Sequence, residues 1–285
     1  MDEPQSGKSG KSDKSGRSGE PAHPTEPPPA GEPAAAEALP FVAPCRQVGL
    51  DAPLRWVRLG FADLRAAPLQ SLAYGLGIFA LSATISAIGW FYGSGWLLIV
   101  MLSSFVFVAP VLALGLYAIS ACLGRGEPPS LRRCLRAERL HLGDTAVYSL
   151  VLLVICLVWV RAGSGLQIFY PESGEPTFAE LVAFFSIGSA VGSLFALVAF
   201  AASAFSLPML LDRRTDGVTA VVTSVNAVLR NKVTMTLWVA TIVAAVAIGF
   251  ATALLGLVVT MPVIGHATWH AYRETIDASA WPPGD

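Results

Sequence analysis

The chain reads as an all-α protein, a polytopic bundle of about six transmembrane helices arranged as three hairpins with amphipathic cytoplasmic segments between them. Three observations predict it. Of 285 residues, 54% are hydrophobic and 14% charged, against roughly a quarter charged in a soluble domain. No Asp, Glu, Lys or Arg occurs from Ala66 to Gly124 or from Val233 to Val263, and each run exceeds the roughly 20 residues that cross the hydrocarbon. Finally, the arginines collect in alternate connections.

The first 42 residues are a different material. KSGKSDKSGRSGEPAHPTEPPPAGEP repeats Lys, Ser and Gly before turning to Pro and Glu, a composition too poor in apolar surface to offset chain entropy. It reads as a disordered cytoplasmic tail ahead of a membrane domain at 43–275 and a short C-terminal tail at 276–285. It lacks the roughly 7 to 15 residue apolar core of a cleavable signal peptide. GKS occurs twice, but without the earlier Gly and strand that a phosphate-binding loop needs.

Next comes APLRWVRLGFADLRAAPLQSLAYGL, with Leu54, Trp56, Val57, Leu59, Phe61 and Leu64 set against Arg55, Arg58, Asp63 and Arg65. The spacing is near-helical with a cationic face, which suits a helix lying on the membrane surface; a basic lead-in to the first span is the alternative. Either keeps the arginines at lipid headgroups. Spans are predicted at 69–92, 95–121, 144–162, 178–210, 233–250 and 252–272, and one long tilted helix over 233–265 is the alternative for the last pair. Arg46, Arg55, Arg58 and Arg65 precede the first span; Arg125, Arg132, Arg133, Arg136 and Arg139 lie between the second and third; Arg213, Arg214, Arg230 and Lys232 lie between the fourth and fifth. The opposite connections hold only Glu172 and Glu175, with Arg161 at the edge. By the positive-inside rule both termini are cytoplasmic if there are six spans.

Three times a polar segment leads into a two-span hairpin whose second span carries a proline near its cytoplasmic end: Pro110, Pro208 and Pro262. This internal repeat favours six crossings. A proline frees a carbonyl one turn earlier, so each can mark a helix break or gate, or plain packing. SIGSAVGSLFA sets Gly188 and Gly192 four apart, an interval that lets helices approach closely, within the bundle or between copies.

The stretches RWVRLGFADLRAAPLQSLAYGL, FVAPVLALGLY, FSLPMLLDR and PVIGHATWHAYR resemble a bacterial integral membrane protein family, the domain of unknown function 2189, over about residues 45–275. GHATWHAYR carries the resemblance most specifically. The resemblance implies a bacterial inner-membrane location and supplies no activity or cofactor. Some relatives bear names suggesting a cytochrome oxidase subunit, but a haem-copper core needs about six histidines on its spans, and outside the tail this chain has three.

His266 and His270 lie one helical turn apart and fall on one face, as two ligands of a metal or haem would. Glu274 continues that face, and His141 could join from elsewhere to complete a two-His-one-carboxylate set. The competing expectation is an interfacial belt with Trp269, Tyr272 and Arg273. No cofactor is called for beyond that alternative. Cys45, Cys122, Cys134 and Cys156 are scattered and read as free thiols. No Ser/His/Asp arrangement and no buried mid-span charge can be read from the sequence.

The function expected is therefore a non-enzymatic inner-membrane protein that binds lipid or a partner. Its basic surface residues Arg55, Arg58, Arg65, Arg132, Arg133 and Arg136 would face anionic headgroups of the bilayer, with a homo-oligomer or membrane-protein partner left open. The near-neutral charge of -1 argues against nucleic acid. A transporter or channel for a small, weakly charged or apolar solute is the alternative, requiring a path lined by Ser82, Thr84, Ser86, Ser103, Ser104, Thr223 or Thr241. A metal or haem protein is a third.

Overall fold

Proline and capping chemistry set the first helices. In the computed structural model, which describes residues 40–91, 112–129, 142–166 and 177–284, α1 spans Ala52–Ala66 with Pro53 in its first turn, where the fixed φ suits a helix start. It stops before Pro68, because the residue preceding a proline disfavours helical geometry. There α2 (Pro68–Phe91) starts on a new axis. Then follow α3 (Leu114–Gly124), α4 (Leu142–Leu166), α5 (Phe178–Ser203), α6 (Ser206–Asp212), α7 (Gly217–Arg230), α8 (Lys232–Ala251) and α9 (Leu257–Thr275). A Thr177/Glu180 capping box opens α5, and Asp216 caps α7 by accepting from the Thr219 amide at 2.9 Å. The described residues form an all-α membrane bundle with no β-strand among them.

Among the described residues, four helical stretches are long and apolar enough to cross a membrane: Pro68–Phe91, Ala146–Gly165, Phe178–Asp212 and Lys232–Ala251. They match the first, third, fourth and fifth predicted spans. Large apolar side chains project from them unburied, Leu150, Leu153, Leu157 and Val158 on α4 among them. Water would leave that surface unfavourably hydrated, whereas hydrocarbon accepts it. Most of the second predicted span lies outside the described residues, and so do Pro110, Arg132, Arg133, Arg136 and His141.

The chain reverses between α8 and α9. Ala253 and Leu254 adopt φ of 50° and 70°, and the Thr252 hydroxyl accepts from the Gly256 amide at 2.8 Å. The region 233–272 is thus two helices and not one tilted rod. Unlike α8, however, α9 is not among the long apolar helices, because His266, Thr268, His270, Arg273 and Glu274 dilute it. It runs through the middle of the bundle, buried from Met261 to Trp269.

Glycines let the other helices reach it. A Cβ on Gly60 of α1 would lie 2.4 Å from the Val263 carbonyl oxygen, and one on Gly265 would lie 2.5 Å from Leu116 of α3. Gly75 of α2 sits against the Val258 carbonyl and the Pro262 ring. That carbonyl is the one Pro262 releases by having no amide hydrogen, so the proline creates the surface on which α2 crosses. Pro208 likewise cannot donate to residue 204, and at the break between α5 and α6 Ser224 bridges the open pair 201/205: its hydroxyl donates to the Ala201 carbonyl at 2.7 Å and accepts from the Phe205 amide at 3.1 Å.

The segment before α1, the start of α7 and the C-terminal residues meet at one end of the bundle. The Arg46 amide donates to the Thr275 carbonyl at 2.8 Å, the Asp277 amide to the Pro44 carbonyl at 2.9 Å, and the Gly284 amide to the Asp212 carbonyl at 2.8 Å. Trp281 is buried beneath them. Residues 276–284 are therefore knit to the body and do not extend from it as a tail.

Candidate functional site

Four helices converge on the histidine that the sequence singled out. His266 is wholly enclosed, at 0% exposure, and both ring nitrogens are engaged: Nε2 stands 2.9 Å from the Ser71 hydroxyl of α2, and Nδ1 stands 2.8 Å from the Ser120 hydroxyl of α3. Ser120 in turn donates to the Asp63 carboxylate of α1 at 2.6 Å. His270, one turn along α9, lies 2.9 Å from the same carboxylate oxygen through Nε2. The result is a continuous polar chain, Ser71, His266, Ser120, Asp63, His270, buried at Ser71, His266 and Ser120 and partly exposed at Asp63 and His270.

Proton counting gives the chain a direction. Ser120 has one hydroxyl hydrogen and gives it to Asp63, so it must accept from His266 Nδ1–H. His266 Nε2 then accepts from Ser71. Burial pushes the Asp63 carboxyl up, but the hydrogen bonds from His270 and Ser120 outweigh it, and the group is held below the usual carboxylate range.

The interfacial-belt expectation therefore fails for His266, and Trp269 and Tyr272 are buried with it. Glu274 does not join the histidines. It accepts from Trp56 Nε1 at 2.8 Å and pairs with Arg55. Among the described residues no group of three or more His, Cys, Asp or Glu is placed to hold a metal ion, and His266 offers no unengaged nitrogen. Cys45, Cys122 and Cys156 are free thiols.

Above the chain, α1 has two faces. Inward it presents Trp56, Gly60, Asp63 and Leu64 to the bundle, with the Trp56 ring edge-on to Trp238 at 5.4 Å. Outward it exposes Leu54, Arg58, Phe61 and Arg65 on successive turns, and the Arg65 guanidinium lies 4.4 Å over the Phe61 ring. Arg55, on the flank, is held by Asp51 and Glu274.

Other predicted positions are placed apart. A Cβ on Gly192 would meet nothing within 4 Å, and Gly188 is partly exposed nearby; among the described residues, Gly60, Gly75, Gly115 and Gly265 are places where another helix comes close. Thr84 and Thr241 return their hydroxyls to carbonyls one turn back, Ala80 and Leu237, at 2.8 Å, and Thr223 accepts from the Ala43 amide at 3.1 Å. These three hydroxyls are engaged with backbone, and Ser103 and Ser104 lie outside the described residues. Asp63, Ser71 and Ser120 escaped the sequence reading because each is an isolated polar residue on a different helix. Their only shared sequence signal is that each lies on or beside an otherwise apolar helical face.

Together the fold and the site define an integral membrane protein of the polytopic helical class, with one polar chain running between its helices. Residues 97–212 match the model of the family described as Predicted integral membrane protein (DUF2189), the family the sequence resembles. The match covers less than half of the chain and stops before α9, so GHATWHAYR lies outside it. No curated protein matches the chain, and no solved structure does.

Proposed function

We propose that this is a non-enzymatic protein of the bacterial inner membrane, both termini cytoplasmic, that binds anionic lipid headgroups through α1 and so organises lipid or a partner around the bundle. One observation carries the reading: α1 is seated on the core by one face while Leu54, Arg58, Phe61 and Arg65 stand outward together. Alternating apolar and cationic turns suit the boundary between acyl chains and headgroups, where the apolar residues dip and the arginines meet phosphate. The span α2 begins two residues after α1 ends, which supports α1 lying at the membrane surface. Clustering of the arginine-bearing segments at the same end supports its assignment to the cytoplasmic side.

The test is lipid composition around the protein in nanodiscs of mixed phosphatidylglycerol and phosphatidylethanolamine. Enrichment of phosphatidylglycerol that falls with salt and drops about tenfold in affinity in Arg58→Ala/Arg65→Ala is expected. Identical composition around wild type and variant would overturn the reading.

A further inference from the structure

Between α5, α8 and α9 lies a cavity of about 460 Å³, within the roughly 300–1,000 Å³ of small-molecule sites. Its walls are Ala196 and Phe200 of α5, Ile242 and Val246 of α8, and Met261 and Ile264 of α9. We propose that it holds one lipid chain whose head is small, uncharged and hydrogen-bonding. The inference rests on the lipid-binding reading above and adds a second lipid class at a separate site.

Its dimensions choose a chain. From Trp238 to Phe250, both on its lining, α8 rises about 18 Å at ~1.5 Å per residue, a length over which one extended hydrocarbon chain can lie along the helix. The mouth opens where lipid would stand: Val243 is 60% and Phe250 45% exposed on a candidate span.

The lining then selects the head. None of the lining residues is Asp, Glu, Lys, Arg or His, so a phosphate or carboxylate drawn inside would lose its water without gaining a counter-charge. The polar groups present are hydroxyls of Tyr117, Ser203 and Thr268. The antiparallel run of α8 and α9 places them at the Trp238 end, away from Phe250 and Met261. Thr268 donates to the Ile264 carbonyl at 2.8 Å, and Tyr117 is paired with the Thr268 side chain. The oxygens keep lone pairs for a hydroxyl donor on the lipid.

The experiment is native mass spectrometry of the full chain in detergent, titrated with 1-monooleoylglycerol or with oleoyl lysophosphatidylglycerol, which shares the chain but carries charge. One monooleoylglycerol per chain, held about tenfold tighter than its charged counterpart, is expected. Ala196→Phe should abolish its retention, and Thr268→Val should keep chain binding while erasing the preference between the two heads. Equal retention of both lipids by wild type, or unchanged retention in Ala196→Phe, would overturn the proposal. Phosphatidylglycerol enrichment that depends on Arg58 and Arg65 is read separately, so loss of either site leaves the other's result intact.

Discussion

Helices α8 and α9 are neighbours in one hairpin, of 20 and 19 residues, and the protein treats them oppositely. Most residues of α8 are at least partly exposed, and beyond Lys232 and three threonines its side chains are apolar; α9 is buried from Met261 to Trp269 yet carries two histidines, three threonines, Arg273 and Glu274. In water the more polar helix would lie outside. In a bilayer the polar groups find partners only in the interior of the bundle or at its rim, so the order is reversed. The polarity of α9 marks it as the axis of the bundle.

The strongest way to break that comparison is to move the neighbours off α9. Gly60→Leu puts side-chain atoms where only 2.4 Å separates a Cβ from the Val263 carbonyl. Backbone on both sides leaves no flexible group to yield, and a loss of about 3 kcal/mol or more is expected. Gly192→Leu, with nothing within 4 Å, should leave the thermal unfolding midpoint unchanged. Equal losses at the two glycines would show that α1 is not seated as described.

The outcome at these glycines also explains how much was legible in advance. Four spans follow from apolar runs, a property each segment carries by itself, whereas the apolar run over 233–265 allows one long helix or two and the reversal after residue 251 follows only from the repeated hairpin pattern. The crossing points do not: Gly60 sits in no repeated small-residue motif, and Gly75 follows Ala67 and Ser71 at the same interval of four that separates Gly188 from Gly192, yet Gly75 meets α9 while Gly192 faces open space. Likewise the i, i+4 spacing of His266 and His270 correctly places them on one face. It says nothing of Ser71, Ser120 and Asp63, which come from three other helices. Pairing across helices depends on rotation about each axis, and a single sequence does not encode that locally.

The second test separates the two histidines. His266→Leu removes the partner of two enclosed hydroxyls, Ser71 and Ser120, and an orphaned buried polar group costs about 1–3 kcal/mol. His270→Ala leaves Asp63 its Ser120 bond and a partly exposed flank, so a smaller loss is expected. Thermal unfolding in one detergent ranks them. A larger effect at His270 would sink the idea that the enclosed chain, and not the rim, holds α1 down.

Acid should act on the same chain through Asp63. Its folded carboxyl titrates below the ordinary 3.8, so its contribution is fully present above that value and is lost as pH falls through the folded one. Protonation also gives it a hydrogen that neither Ser120 nor His270 needs. The stability of wild type should decline below about pH 4, and Asp63→Asn should be less stable at neutral pH but flatter across that range. Parallel curves would show that Asp63 is not the group responding.

The smallest effect belongs to the same end of the bundle but to its surface. Hydrogen bonds from Ser279, and then the Arg46 guanidinium at 2.8 Å, hold the Asp277 carboxyl at about 2. The sign is that of Asp63: the tie is complete above 3.8 and fails toward pH 2. Because Arg46 and Asp277 are solvent-exposed, water and salt screen the pair, and Asp277→Asn should leave global unfolding within experimental error. Its effect should be local. Amide exchange at residues 276–280 is expected to quicken in the variant and in wild type at high salt, while exchange along α9 stays unchanged. If α9 exchanged faster as well, the C-terminal segment would be part of what holds the axis in place, and the division between a locked interior and a screened rim would have to be redrawn.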